Sequence, residues 1–327
     1  MQKILDEKNK MNPIEILHKY NIFPKKSLGQ NFLVNDEILD KIASYIDLEN
    51  QNIIEIWPWY WALTEKILSK NPKSIELVEL DKKMVEILNS RIKNNELKIP
   101  SNINFNIHNI DVLKFKPNFE NYIVVANIPY YITSPILNHF LYNLPHKPKE
   151  MIILMQKDVA DKIIKKQKDK TSVLSLVVDF MCKEISEITK VWASNFIPPP
   201  KVESKVLYFK IRKDINKEII RDFLEIIKLW FSEKRKKLIS NLSKRFDKNK
   251  LSEIFEKLEF NTNTRAEDIS LDNWIRLTKS LKNNFFQKKV WLSRKTEYKQ
   301  FAHFAQGGCT MKTKTHFKNQ PKGRKRS

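Results

Sequence analysis

Short apolar runs alternate with amphipathic, helix-like segments along the chain from about residue 50. Five of these runs are rich in β-branched and other apolar residues: NIIEI (52–56), SIELVEL (74–80), INFNIH (103–108), YIVVANI (122–128) and EMIILMQ (150–156). Between them, segments such as ALTEKILSK and DKKMVEILNSRIKNN repeat their apolar residues at a spacing near 3.6. Strands that alternate with helices predict βαβ units, and therefore a parallel sheet covered on both faces.

Two more strands and a group of helices follow. EISEITKV (184–191) and KVLYFKI (205–211) are predicted as strands, and their closeness in sequence indicates an antiparallel edge. After about residue 213 four amphipathic segments predict helices: IIRDFLEIIKLW, SEKRKKLISNLSKRF, KNKLSEIFEKLEF and SLDNWIRLTKSL. The predicted organisation is an N-terminal extension (1–20), an α/β domain (21–212), a small all-helical domain (213–285) and a basic, disordered tail (286–327).

The chain carries far more basic than acidic residues. Its 327 residues include 60 Lys and Arg against 38 Asp and Glu, which gives a formal net charge of +22. Such an excess favours a polyanionic partner, with nucleic acid as the first candidate. The alternative is that Lys is abundant throughout the proteome of the source organism, in which case the positive charge does not indicate a polyanionic partner.

The cysteines and the hydropathy of the chain narrow the class of protein further. The two cysteines, Cys182 and Cys309, match no zinc or redox spacing, so no metal site is predicted. The sequence has no apolar run that approaches the ~18 residues of a membrane span, and its N-terminus lacks the apolar core of a signal peptide. We therefore expect a soluble, cytoplasmic protein without a membrane partner, and a monomer is the default oligomeric state.

Acidic residues follow two of the predicted strands. In a doubly wound sheet, ligands bind outside the carboxyl ends of the strands, and an acid that ends the second strand takes a ribose hydroxyl. Glu79, in VELD, has that place, and Asp111, in NIDVLKF, follows the third strand. Acids at strand ends are often solvated turn residues, but two in register favour a cofactor that contains adenosine.

The segment NIPYYITSP (127–135) follows the fourth predicted strand. The side-chain oxygen of Asn127 can accept one N–H of an exocyclic amino group, and the backbone carbonyl of Pro129 can accept the other. Pro129 fixes φ and so aims its carbonyl, while Tyr130 offers a ring on which an extruded base can stack. The alternative is an ordinary strand-to-turn connection, and the setting favours the binding site.

NIPY in this place resembles the mark of adenine-N6 methyltransferases that use S-adenosylmethionine. Five flanking segments narrow the resemblance: KKSLGQNFLVN (25–35), LMQKDVADKI (154–163), FIPPPKVESKV (196–206), FSEKRKKLISNL (231–242) and TRAEDISLD (264–272). From about residue 20 to residue 281 the chain resembles the bacterial KsgA/RsmA-type small-subunit rRNA adenine dimethyltransferases. The resemblance implies a Rossmann-like, S-adenosylmethionine-dependent methyltransferase domain with a small C-terminal all-helical domain.

The resemblance also implies a function and a set of site residues. Members of this family dimethylate the N6 amino groups of two adjacent adenosines near the 3′ end of 16S rRNA, in the maturing 30S subunit. Cofactor contacts are implied for Asn31, Leu33, Trp57, Glu79, Asp111 and Asn127. The residues that would hold the target adenine are Asn127, Pro129, Tyr130 and Phe196. The residues that would grip rRNA phosphates are Lys234, Arg235, Lys236 and Lys237, although such a run in isolation is commonly a solvated helix face.

Tryptophans stand where the family loop has glycine. That loop reads E-I-G-P-G-x-G/A-x-L-T and this chain has EIWPWYWALT, so Trp57 and Trp59 fall at glycines and Trp61 at a small residue. The chain holds only 4 glycines, of which Gly29 alone precedes residue 307, although tight turns and cofactor loops favour residues without a Cβ. Since a tryptophan buries ~150–250 Å², Trp57 would occupy space that the cofactor should fill.

Three interpretations of these tryptophans remain open. They are structural aromatics on a buried segment, or the loop has degenerated and left an inactive rRNA-binding assembly factor, or a stop codon reassigned to glycine has been decoded as tryptophan. Degeneration of the enzyme would be expected to remove NIPY, Glu79 and Asp111 as well, and all of them are present. Trp192 and Trp230 also stand where glycine would be unsurprising, whereas Trp274 fits a helical core position.

A related enzyme shares the NIPY site. The 23S rRNA adenine-N6 methyltransferases that confer macrolide resistance have the same overall architecture. The segments FIPPPKVES and GQNFLVN favour the small-subunit enzyme. The sequence therefore predicts a 16S rRNA adenine-N6,N6-dimethyltransferase, with the 23S enzyme and the inactive assembly factor as alternatives.

Overall fold

The computed structural model describes residues 13–25, 28–164, 171–213, 215, 217–233 and 236–285. The first twelve residues and the predicted tail after 285 lie outside this part of the chain. The described residues belong to one compact unit that includes both the α/β and the helical segments. The domain boundary at residue 212 stays a prediction.

A mixed sheet forms the centre of the molecule. Its order is β4-β3-β2-β5-β6-β9-β7, and β1 pairs with β8 in a separate two-stranded ribbon. All seven strands predicted from the sequence are confirmed, each within two residues of its predicted bounds. The strands, numbered along the chain, are β1 (Phe32–Leu33), β2 (Asn52–Ile56), β3 (Ser74–Glu79), β4 (Asn104–Asn109), β5 (Ile123–Asn127), β6 (Glu150–Gln156), β7 (Cys182–Val191), β8 (Phe196–Ile197) and β9 (Ser204–Ile211).

The first five strands of the large sheet are parallel, and the last two are not. β2 pairs in parallel with β3 and β5, so the strand order reverses at β2. β9 runs antiparallel to both β6 and β7, which confirms the expected antiparallel edge. β9 lies between the other two, however, and β7 is the edge strand. β3 and β5 are buried along their whole length, which explains why they read as continuous apolar runs.

Helices cover the sheet and form the C-terminal part of the described chain. The four helices predicted after residue 213 are present, the second as a single short helix. The α-helices, numbered along the described chain, are α1 (Pro13–Lys19), α2 (Asp36–Ser44), α3 (Ala62–Leu68), α4 (Lys82–Lys93), α5 (Thr133–Asn138), α6 (Lys157–Ile164), α7 (Val173–Met181), α8 (Lys217–Trp230), α9 (Leu238–Leu242), α10 (Lys248–Lys257) and α11 (Leu271–Phe285).

Aromatic packing joins the C-terminal helices to the sheet. Phe180 of α7 stacks on Phe223 of α8, with ring centroids 4.5 Å apart. Trp274 of α11 is fully buried and packs against Phe231 at 5.9 Å. The expectation that Trp274 is a helical core residue is confirmed, and the sheet and the helices share one hydrophobic core.

Asparagine occupies several turn positions of this chain at which glycine is the usual residue. The fold contains left-handed backbone positions, where a Cβ is unfavourable and where glycine and asparagine are the common residues. Four of these positions, each with φ between 48° and 56°, carry asparagine: Asn21, Asn50, Asn71 and Asn95. Gly29 has φ 63°. Asparagine is therefore the commonest residue at the left-handed positions of the described chain, which corrects the expectation that tight turns need glycine.

Candidate functional site

The predicted site residues meet at the carboxyl edge of the parallel strands. Glu79 is the last residue of β3, Asn127 is the last residue of β5, and Asp111 follows β4. The loop 57–61 follows β2, the strand at which the order reverses. Ligands of doubly wound sheets bind in the crevice at this point, so the fold gathers residues that the sequence keeps far apart.

Glu79 is held at the bottom of this edge. Its side chain is 1% exposed, and one oxygen accepts the backbone N–H of Asp81 at 2.8 Å. The other oxygen has no hydrogen-bond partner in the described part of the chain. Burial raises the pKa of Glu79 to about 8, and the nearby Lys25 lowers it only slightly. A pair of donors such as ribose hydroxyls would satisfy this carboxylate.

A network that the sequence did not reveal supports Glu79. Lys25 donates to both carboxylate oxygens of Asp81, at 2.9 and 2.7 Å, and Asp81 also caps α4 by accepting the N–H of Lys83. Gln30 accepts the backbone N–H of Lys25 at 2.7 Å. The segment before β1 is thereby tied to the end of β3. The residues belong to KKSLGQNFLVN and VELD, but nothing in those segments shows that they meet.

Asp111 stands at the neighbouring strand end. It is half-buried, and its Oδ1 accepts the backbone N–H of Leu113 at 3.0 Å. The backbone N–H of Ile110 donates to the carbonyl of Glu79 at 3.1 Å, which joins the two strand ends. A carboxylate has acceptor capacity for more than one N–H, so Asp111 could also accept an amino group of a ligand.

The NIPY segment forms a rigid turn after β5. Pro129 has φ −60° and its carbonyl accepts the N–H of Ile132 at 3.2 Å, so one of its two lone pairs is used. The hydroxyl of Tyr130 lies 2.6 Å from Oγ of Ser204, the buried first residue of β9. Ser204 fixes the tyrosine ring and was missed from the sequence, although it ends the motif segment FIPPPKVES. Asn127 is 7% exposed and lines the cleft.

The β1–β8 ribbon brings three further predicted residues together. Leu33 pairs with Phe196 in this ribbon, and both are buried. Asn31 precedes β1 and its side-chain amide donates to the carbonyl of Gly29 at 3.2 Å. The amide of Asn35 donates to Oδ1 of Asn195 at 2.8 Å, which locks the ribbon at its other end. The expected cofactor segment and the expected base-stacking segment are therefore one structural piece.

The loop after β2 fills the cleft with tryptophan. Trp57, Trp59 and Trp61 are 5%, 4% and 0% exposed, and their φ values are 56°, 52° and 72°. The indole N–H of Trp59 donates to the backbone carbonyl of Asn127 at 2.7 Å. The indole nitrogen of Trp61 has no hydrogen-bond partner among the described residues. A cavity of about 10 Å³ remains next to Asn127, which is about the space of a single water molecule.

Glu55 lies beneath this loop, and it was not predicted as a site residue. It is 1% exposed, and both of its carboxylate oxygens lack a hydrogen-bond partner in the described part of the structure. Burial raises the pKa of Glu55 to about 8, and the hydroxyl of Thr64 offsets only a small part of this. A buried carboxylate without partners normally points to a polar group that belongs beside it.

The residues present at this edge do not fit an adenosine cofactor. The strand-end acids and Asn127 offer suitable acceptors, but the indole rings occupy the space beside them. The backbone at positions 57, 59 and 61 has the left-handed form in which glycine leaves such a loop open. The Trp57 side chain lines the small cavity that remains and occupies space beside it, and its predicted cofactor role stays a prediction.

A basic cleft lies on the C-terminal helical segment. It has a volume of about 480 Å³ and is lined by Lys236, Lys237, Ser240, Asn263 and Arg265. A β-bridge joins the backbones of Lys237 and Arg265 and so fixes the two sides of the cleft. Lys236 and Lys237 are exposed. The other two predicted RNA-binding residues, Lys234 and Arg235, lie outside the described residues.

The described residues offer neither a metal site nor a membrane span. The described chain holds no group of three or more His, Cys, Asp or Glu side chains placed to bind a metal ion. Among its helices, none is long and apolar enough to cross a membrane.

A doubly wound sheet with acids and an Asn-x-Pro-Tyr turn at its carboxyl edge defines a Rossmann-like methyltransferase. Residues 23–283 match the family model described as "Ribosomal RNA adenine dimethylase". The chain belongs to this family, and it is a methyltransferase by that membership.

Relatives and solved structures agree with this assignment. "Ribosomal RNA small subunit methyltransferase A" of Mycoplasma mobile is 38% identical over 250 residues, which cover 76% of this chain and 94% of the relative. The protein of the same name from Prochlorococcus marinus is 34% identical over 276 residues, which cover 81% and 98%. A dimethyladenosine transferase from Plasmodium falciparum has a similar fold, with a TM-score of 0.64, 22% identity, and coverage of 77% and 98%. The 23S rRNA methyltransferase ErmE also shares the fold, with a TM-score of 0.60, 20% identity, and coverage of 77% and 99%.

Proposed function

We propose that this protein dimethylates the N6 amino groups of two adjacent adenosines near the 3′ end of 16S rRNA, with S-adenosylmethionine as methyl donor. The observation that carries the proposal is the position of Asn127, Pro129 and Tyr130 at the end of β5, in a chain of the ribosomal RNA adenine dimethylase family. The curated relatives at 34–38% identity carry a small-subunit name. The 23S alternative shares only the fold, at 20% identity, and is not favoured.

The NIPY turn would hold the target amino group. Adenine N6 is a poor nucleophile because its lone pair is delocalised into the ring. The side-chain oxygen of Asn127 and the free lone pair of the Pro129 carbonyl would accept its two N–H groups. Both hydrogen bonds localise the lone pair on nitrogen and fix its direction. No strong base would be required, because the neutral amino group would take the methyl group through its lone pair as the donor's sulfonium leaves as a neutral thioether, and the acidic methylated cation would then lose one proton to water.

Two aromatic rings would hold the base itself. Tyr130 is half-buried, and the hydroxyl of Ser204 fixes its orientation. Phe196 comes from the β1–β8 ribbon and is 3% exposed. Stacking on such rings offsets the cost of extruding a base, by about 1–3 kcal/mol for each base.

The basic cleft would bind the rRNA backbone. Lys236 and Lys237 place two cations in the lining of the cleft, and Arg265, whose backbone is bridged to Lys237, adds a third. Lys234 and Arg235 would extend this surface. Phosphate contacts of this kind supply affinity without reading sequence. The substrate form would be the 30S pre-ribosomal subunit, met by a monomer in the cytoplasm during small-subunit maturation.

The proposal assigns the cofactor contacts to the strand ends and the ribbon. Glu79 would accept the ribose hydroxyls and Asp111 the adenine amino group, with Asn31, Leu33 and Asn127 near the methionine end. The loop at 57–61 opposes this assignment as long as it carries tryptophan. The function therefore requires a loop that is open.

A methylation assay on separate ribosomal subunits tests the function. The full chain with glycine at positions 57, 59 and 61 should transfer labelled methyl groups to unmodified 30S subunits and not to 50S subunits. Asn127→Ala should abolish the transfer, whereas Asn121→Ala, an exposed asparagine before β5, should leave it unchanged. Transfer of labelled methyl groups to 50S subunits alone would refute the proposal and favour the 23S enzyme. Binding of the protein to 30S subunits without methyl transfer would favour the assembly factor.

A further inference from the structure

The backbone of the loop 57–61 is set by its surroundings. The N–H of Trp57 donates to the carbonyl of Val78 at 3.0 Å, and the N–H of Trp61 donates to the carbonyl of Pro58 at 2.7 Å. The guanidinium of buried Arg91 donates to the carbonyl of Tyr60 at 3.1 Å. Two of these bonds join main-chain groups of the loop to β3 and to the Arg91 side chain of α4. None of the three involves an indole ring, although the indole N–H of Trp59 also donates to Asn127. The loop is therefore held in part by contacts that glycine would keep.

Tryptophan is unsuited to all three of these positions. A bulky side chain with φ between +20° and +160° is strained, because its Cβ crowds the following carbonyl. At most of its other left-handed positions this chain uses asparagine, the non-glycine residue that tolerates them best. Within five residues it then places tryptophan at three such positions, whereas the remaining left-handed positions hold four asparagines, Gly29 and Glu259. Three bulky residues at left-handed positions in one loop disagree with the local preferences of the rest of the chain.

The polar groups beneath the loop show the same mismatch. The Glu55 carboxylate and the Trp61 indole nitrogen are both buried without partners among the described residues. Substitution of glycine for the indole rings would open the space above Glu55 and beside Asn127. Water or a ligand could then satisfy the Glu55 carboxyl group, and the unpartnered indole nitrogen would no longer be present.

The other tryptophans separate into different cases. Trp274 is fully buried near the start of α11, as a native core residue would be. Trp192 has φ −73° in extended backbone and is 57% exposed, so its backbone does not require glycine. Trp230 ends α8, and its side chain lies outside the described part. Among the tryptophans of the described residues, the backbone criterion therefore selects positions 57, 59 and 61, while Trp291 lies outside those residues.

We propose that positions 57, 59 and 61 carry glycine in the protein made by its host, and that the printed tryptophans come from a reassigned stop codon decoded as tryptophan. With three glycines the loop keeps its backbone and loses its side chains. The cleft then becomes the cofactor site that the strand-end acids require. The identity of these three residues does not depend on which RNA the protein methylates.

Peptide masses from the natural host test the proposal directly. Trypsin releases residues 42–66 as one peptide that holds all three positions, and residues 266–276 as a control peptide that holds Trp274. We expect three glycines in the first peptide and tryptophan in the second. The gene should read a stop codon at positions 57, 59 and 61 and an ordinary tryptophan codon at 274. Tryptophan at any of the three positions in the host protein would overturn the proposal.

A binding measurement supplies a second readout that does not depend on activity. Calorimetry with S-adenosylhomocysteine should show saturable binding to the full chain with glycine at 57, 59 and 61. The chain as printed should show none, and its Trp192→Gly variant should behave like it, since position 192 lies outside the loop. Equal binding by the printed and the three-glycine chains would refute the steric argument. Glycine in the peptide with no methylation of either subunit would leave the inference intact and remove the proposed function.

Discussion

Replacement of Glu79 by glutamine should stabilise the protein at alkaline pH while weakening its cofactor site. Glu79 is buried at the end of β3, and its pKa is raised to about 8, chiefly by burial. In the unfolded chain the same carboxyl titrates near 4.5. Because the folded state holds the proton more tightly, titration of this group does not lower the free energy of unfolding below about pH 4.5. The loss of unfolding free energy grows as the pH rises and is complete above about pH 8.

The size of the effect follows from the two pKa values. A carboxyl whose pKa moves from 4.5 to about 8 destabilises the folded state by about 5 kcal/mol when it is ionised in both states. Glutamine is neutral at every pH, and its side-chain oxygen can still accept the N–H of Asp81. At about 2 °C per kcal/mol for a large domain, the midpoint of melting should rise by roughly 10 °C at pH 8.5. Near pH 4.5 the variant and the parent should melt together.

Thermal melts of the full chain between pH 4.5 and 9 provide the measurement. Glu55 also has a pKa raised to about 8, so Glu79→Gln should remove about half of the alkaline loss of stability. Glu253→Gln, at an exposed position on α10, is the matched control and should leave the profile unchanged. In the chain with glycine at 57, 59 and 61, Glu79→Gln should also weaken binding of S-adenosylhomocysteine. If the variant showed the parent's pH profile, the assignment of a buried, protonated Glu79 would be wrong.

Two other substitutions test the base pocket and the RNA surface. Ser204→Ala removes the hydroxyl that fixes Tyr130, so KM for 30S subunits should rise about fivefold, the cost of one hydrogen bond of about 1 kcal/mol. KM for the cofactor should stay constant. Ser252→Ala, at an exposed control site, should change neither KM value. An equal rise in both KM values of Ser204→Ala would indicate a general structural defect. Lys236→Gln combined with Lys237→Gln should reduce the slope of log affinity against log salt by about two, one for each lost phosphate contact. An unchanged slope would show that the basic cleft does not touch RNA.

Much of the parallel core could be predicted from the sequence, because its signals are local. The alternation of apolar runs with helical periodicity depends on residues close in the chain, and it located the seven strands of the sheet. The acids and NIPY could be placed at strand ends because parallel strands present their carboxyl ends on one edge. The misfit of Trp57, Trp59 and Trp61 was also visible in the sequence, since glycine was missing where a family loop has it.

Only the tertiary structure decided how distant segments meet. β9 inserts between β6 and β7, and Ser204 reaches Tyr130 across that junction. The β1–β8 ribbon and the bond from Lys25 to Asp81 join segments that carry no mark of each other. Strand order and such contacts are fixed by burial and hydrogen bonding over the whole chain, so no local pattern encodes them. The left-handed φ values at 57, 59 and 61 also became visible only in the structure, where this loop bonds to Val78 and Arg91, which are distant in the sequence.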